Sequence, residues 1–112
     1  MIPLRTARDT LARDGAQAVL ILLGDVAGVT AADVDAFGHL SGDLNPLHMD
    51  EDFATRTPFR RRVVHGLLTG ALVSTAHTQL TGPGFAYVGQ ELKFLGPVFI
   101  GDTVSVEVTV VR

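Results

Sequence analysis

The stretch "FGHLSGDLNPLHMDEDFA", residues 37–54, sets a carboxylate (Asp43), an amide (Asn45), a proline (Pro46) and an imidazole (His48) within six positions. Pro46 has no N–H to donate and disfavours helical geometry at Asn45, which predicts an irregular turn from Asp43 to His48 that aims several side chains at one point. An imidazole exchanges protons near neutral pH and a carboxylate orients water, so Asp43 and His48 are a candidate pair for activating one water molecule. The competing role is structural, since Asp and Asn beside a helix end commonly cap the helix and tighten the turn. A second feature favours chemistry. In "VVHGLL", residues 63–68, His65-Gly66 opens a helix, and a helix N-terminus with glycine presents unencumbered N–H groups to a developing oxyanion.

Outward from the motif, "TAADVDAFGHLSGD" (30–43) reads as the helix that delivers it. Thr30 is the N-cap, Asp33 stands at the third helical position, Val34 and Phe37 lie three apart, and Gly42 stops the helix. Before it, "AVLILL" (18–23) is a short apolar run suited to a buried strand, with Gly24 and Gly28 bracketing its end. Residues 1–15 mix charges with scattered Leu and Ala and read as a mobile or weakly helical lead-in. After the motif, "HGLLTGALVSTAHTQLTGPG" (65–84) is the longest helical stretch, ended by Gly82-Pro83-Gly84 and rich in small residues that permit close approach of a sheet. "AYVGQELKF" (86–94) and a turn-rich connector (95–102) follow. In "TVSVEVTVV" (103–111), Val104, Val106, Val108 and Val110 then alternate with Ser105, Glu107 and Thr109, the pattern of a half-buried strand. Strands around two helices predict an α+β layered domain.

Bulk composition agrees with one domain over residues 1–112. Apolar residues make up 46% and charged residues 19%, which is globular rather than disordered. A net charge of -3 gives no electrostatic reason to bind nucleic acid or an anionic membrane surface. The absence of cysteine excludes disulfides and thiolate chemistry. The first 17 residues lack an apolar signal segment, and the run 18–23 is far short of the roughly 20 residues that span a bilayer, so a cytoplasmic protein is expected.

The blocks "FGHLSGDLNPLHMDEDFA", "VVHGLLTGALVS", "GPGFAYVGQELKFLGPVFIGD" and "VSVEV" resemble the MaoC-like hot-dog-fold dehydratases, including the (R)-specific enoyl-CoA hydratases, over about residues 25–111. The resemblance implies an antiparallel sheet wrapped around a long central helix, residues 66–80, and a homodimer or a homologous partner chain with active sites at subunit edges. It implies that Asp43 and His48 bind the water added to a trans-2-enoyl-CoA, giving the (3R)-3-hydroxyacyl-CoA, and that the Gly66 N–H receives the thioester carbonyl. Asn45 and Ser74 take positioning roles, although a helix hydroxyl such as Ser74 equally well bonds back to its own turn. His65 orients the loop or caps the helix; His39 and His77 match no role. No metal and no redox cofactor is implied, and a ligand set drawn from Asp43, His48, Asp50 and His65 is not expected to assemble.

Two features depart from the family pattern. Arg62 stands where the family usually has proline, as the last of Arg60, Arg61 and Arg62, a cationic cluster that is either a solvated loop or a contact for the CoA phosphates. The chain also stops at Arg112, directly after the Val-alternating strand, where the family continues through further strands. The C-terminal part of the domain therefore reads as missing, which leaves an apolar strand edge for a partner to cover. Competing functions are a hot-dog acyl-CoA thioesterase, attacking the carbonyl instead of the β-carbon, and a truncated non-catalytic acyl-CoA-binding subunit or fused-domain fragment.

Overall fold

The computed structural model describes residues 18–111, with side chains described from Gly28 to Val108; the expected lead-in at 1–15 and the burial of the AVLILL side chains lie outside them. In chain order the elements are strand β1 (Ala18–Gly28), helix α1 (Ala31–Ser41), two short helices α2 (Pro46–Met49) and α3 (Glu51–Thr55), helices α4 (Gly66–Ala71) and α5 (Val73–Thr81), and strand β2 (Thr103–Val111).

β1 and β2 pair antiparallel, from Ala18 opposite Val111 to Gly28 opposite Thr103. The strand, whose end Gly24 and Gly28 were expected to bracket, runs as far as Gly28. The ladder loses register between Leu22 and Asp25 and again between Asp25 and Ala27, around the glycine, where a missing side chain most easily accommodates an extra residue.

α1 forms where its caps lie. The Thr30 hydroxyl accepts from the Asp33 N–H at 3.2 Å and the Asp33 carboxylate accepts from the Thr30 N–H at 2.9 Å, so two orphan donors of the first turn are satisfied reciprocally. The Thr30 backbone bond, with a smaller contribution from the Thr30 side chain, holds the Asp33 carboxyl below the usual Asp value. At the other end Gly42, at φ 80°, returns its N–H to the Gly38 carbonyl, a left-handed turn that glycine adopts without a Cβ penalty.

The central helix occupies the expected place but in two pieces. At Leu72 the backbone stays right-handed (φ -65°, ψ -19°) while the N–H is shared between the carbonyls of Leu68 and Thr69, a tightened turn rather than a break. Gly66 and Gly70, one turn apart, receive the neighbouring chain closely. A Cβ on Gly66 would meet the Phe94 ring at 3.0 Å, and one on Gly70 would meet Leu92 Cδ1 at 3.2 Å. The small residues therefore do admit a close neighbour, but that neighbour, residues 85–95, is irregular rather than a strand. A strand needs a hydrogen-bonded chain beside it, and among the described residues β1 and β2 ladder only with each other. The wrapping sheet is accordingly represented by a two-stranded ribbon.

Val29, Val34, Val64, Val98 and Val104 make the main buried cluster, with Met49, Leu68, Leu72 and Ile100 packed against it. A second cluster of Val73, Ala76 and Val106, joined by Val108, seats β2 on α5. Val104 and Val106 are buried while Ser105 between them is exposed, which is the predicted alternation. Among the described residues, no helix is long and apolar enough to cross a membrane.

Candidate active site

Asn45 decides the local path of the motif. Its Oδ1 accepts from the Leu47 N–H at 3.0 Å, capping α2, and Pro46 is the first helical residue, where a missing N–H costs nothing. The irregular turn expected from Asp43 to His48 is therefore helical from Pro46 onward, because a cap residue directly precedes a proline that can start a helix. Upstream, the Asp43 N–H donates to Ser41 Oγ at 3.2 Å, and Asp43 Oδ1 accepts from the Asn45 N–H at 3.3 Å. Asn45 thus orients the Asp43 carboxylate as well as capping the helix that carries His48.

The His48 ring is fixed by the segment preceding α4. Its Nδ1 lies 2.6 Å from the Val63 carbonyl, which can only accept, so Nδ1 carries the proton and Nε2 is the free nitrogen. His65 is buried at 2% exposure, and its Nε2 donates to the Asp43 carbonyl at 3.0 Å. Its Nδ1 is buried without a hydrogen-bond partner. The two imidazoles lie 4.1 Å apart at 33°, and Phe37 packs edge-on to His65 at 4.9 Å. Donor atoms of Asp43, His48 and His65 all fall within 4.8 Å of one another. Asp50, the fourth residue of the ligand set considered from sequence, is occupied as the cap of α3, accepting from the Phe53 N–H at 3.1 Å.

Beside His48 opens a hollow of about 270 Å³ whose walls include Val64, Gly66, Thr69, Phe94 and Val98. As the first residue of α4, Gly66 has an N–H without an acceptor inside the helix. Ser74 does not line this hollow. It is exposed on α5 and faces a separate one with His77, Thr78, Phe85 and Tyr87. The buried hydroxyl here is that of Thr69, 3% exposed, and the signal for it was its position one helical turn after Gly66.

The three arginines part company. Arg60 is exposed with φ 65°, and Arg61 lays its guanidinium over the Phe99 ring at 3.8 Å. Arg62 turns inward: its side chain is 11% exposed, Nη2 pairs with Asp35, and Nε donates to the His48 carbonyl. Of the three arginines considered for the phosphate role, Arg62 has its Nε and Nη2 turned to partners inside the fold, while Arg60 and Arg61 are exposed.

The chain is 48% identical over 83 residues to a 3-hydroxybutyryl-CoA dehydratase of Methylorubrum extorquens, covering 73% of this chain and 53% of that one. It is 52% identical over 81 residues to an (R)-specific enoyl-CoA hydratase of Aeromonas caviae, covering 71% and 60%. The structure superposes on the unliganded R-hydratase of Pseudomonas aeruginosa with a TM-score of 0.69 at 39% identity, covering 82% of this chain and 57% of that one. The chain thus spans between half and two thirds of the length of these relatives, and its fold is of the hot-dog class. Residues 23–112 match the family described as MaoC like domain, and the chain belongs to that family.

Proposed function

We propose that this chain hydrates a trans-2-enoyl-CoA reversibly to the (3R)-3-hydroxyacyl-CoA, acting as a lyase. The observation that carries the proposal is the approach of the Asp43 carboxylate to the His48 imidazole, within 4.8 Å, beside an apolar hollow walled by Gly66. A water held between Asp43 and His48 Nε2 gives up a proton to the pair as its oxygen bonds to C3. The C2–C3 π electrons move toward the thioester, and the charge gathering on its carbonyl oxygen is stabilised by the Gly66 N–H. The proton taken up by the pair is returned at C2, which completes the addition and restores both groups. Only a proton and a hydroxide equivalent are transferred, so the chemistry calls for no redox group. Arg60 and Arg61 remain suited to the CoA phosphates, and the names of the relatives support both the enoyl thioester and the R configuration.

Crotonyl-CoA tests the proposal. The ultraviolet absorbance of the conjugated enoyl thioester should fall on adding the chain, and turnover in deuterated water should place deuterium at C2 of a 3R alcohol. Release of free thiol would point instead to a thioesterase, and a 3S product or unchanged absorbance would remove the hydratase reading.

The proposal extends to a homodimer of single domains, or a pairing with a homologous chain, in the cytoplasm. Its support is the ribbon of β1 and β2, each laddered on one side only among the described residues, together with exposed Phe85, Val88 and Leu95. Pairing two copies covers such edges and apolar side chains at once. Sedimentation at micromolar concentration should give twice the chain mass; a monomer would count against the pairing.

A further inference from the structure

We infer that Arg62 is a positioning residue for His48, acting from α1 through Asp35. The inference rests on the reading of His48 as a proton-transfer group and goes beyond it, since it explains why that ring stands where it does. Arg62 and Val63 grip His48 at two points. The Arg62 guanidinium donates to the His48 main-chain carbonyl, and the Val63 carbonyl takes the proton on His48 Nδ1 at 2.6 Å. The same guanidinium reaches Asp35, 27 residues away on α1, so one planar fork ties α1 to the short helix α2 that bears the imidazole. At 11% exposure the Arg62 side chain is shielded from competing water, whereas Asp35, at 49%, keeps a hydrated face. The Val63 N–H adds a bond to the Leu47 carbonyl at 3.2 Å, and the Val64 N–H reaches the Val98 carbonyl at 2.7 Å, so the segment holding the ring is itself held on both sides.

A guanidinium is needed for this geometry. Lysine carries one compact ammonium and cannot span two acceptors in a fixed plane, so Arg62→Lys should restore only part of what Arg62→Ala removes. Because small misplacements of a reacting group are costly, Arg62→Ala should lower kcat by about 10- to 100-fold with KM within about 2-fold of wild type. A phosphate contact would give the reverse pattern, a raised KM at constant kcat. The ring nitrogen signals of His48, followed by NMR across pH in wild type and variants, supply a readout independent of turnover. They should shift and broaden in Arg62→Ala as Nδ1 loses its fixed partner. Should Arg62→Ala fail to fold, Asp35→Asn, which keeps shape and loses charge, should displace the same signals and lower kcat severalfold. The inference is overturned if folded Arg62→Ala, or failing that folded Asp35→Asn, keeps wild-type kcat and wild-type His48 ring signals. Absence of wild-type turnover would instead remove the hydratase reading, while displaced ring signals in the variants would still establish the anchor.

Discussion

Asp43→Asn should leave the chain folded and cut turnover of crotonyl-CoA by about 10²- to 10⁴-fold, the range that general acid and base groups contribute. The fold should hardly register the change. Asp43 is exposed, its N–H bond to Ser41 and its carbonyl bond to His65 come from the main chain, and an asparagine Oδ1 can still accept from the Asn45 N–H. What is lost is the charge beside His48. The corresponding His48→Asn change removes the free ring nitrogen and should cost a similar factor. In the proposed reaction Asp43 and His48 share one water, so the double variant should be scarcely slower than the slower single one. Steady-state kinetics of the three variants, with circular dichroism as the check on folding, read this directly. Wild-type turnover by folded Asp43→Asn, or losses that multiply in the double variant, would show that the two groups do not share a step.

The second large effect should come from a residue with no chemistry. Gly38 sits buried inside α1, where glycine is about 1 kcal/mol less favourable than alanine, so its presence needs a reason. Space supplies it. A Cβ at this position would lie 2.5 Å from Met49 Sδ, 2.8 Å from Met49 Cε and 3.3 Å from the Asp43 carbonyl. The end of Met49 can swing away, but the Asp43 carbonyl is the acceptor that His65 holds, and it cannot retreat without moving the site. Gly38→Val should therefore destabilise by about 1–3 kcal/mol, the usual cost of overpacking, and lower the melting temperature by several degrees. It should also depress kcat by displacing Asp43. A melting curve coincident with wild type would mean that α1 and α2 can separate freely.

How much of this could be read from the sequence follows the range of each interaction. The caps of α1 are local, so Thr30, Asp33 and Gly42 announced both ends of the helix. The alternation of Val104, Ser105 and Val106 announced β2 equally well, because a strand face is a period of two. The approach of Asp43 to His48 was legible because only four residues lie between them. Arg62 was not: its partner is 27 residues away, and in the sequence it is simply the third of three arginines. Asn45 was placed as a positioning group, but its cap on α2 depended on whether Pro46 started a helix or prevented one. Ser74 was named on the strength of the family pattern and Thr69 was not considered; which hydroxyl reaches the hollow is settled by how the helix is rolled against residues 92–98, a tertiary quantity. Residues 86–94 lack the strict alternation of β2, and among the described residues no neighbouring segment ladders with them, so they stay irregular.

The segment from Val63 to Gly66 joins the two chemical ends of the site. Val63 holds the His48 ring, to which the proposed hydration assigns the proton transfer, and Gly66 opens α4 at the wall of the hollow where the thioester carbonyl would lie. Three peptide units separate them, at most about 10–11 Å of extended chain. An α,β-unsaturated thioester likewise has its reacting carbon and its charge-bearing oxygen a fixed number of bonds apart. The backbone therefore works as a caliper, set by covalent bond lengths rather than by packing. A chain with one more residue in that interval would keep every functional side chain and still fail to gauge its substrate.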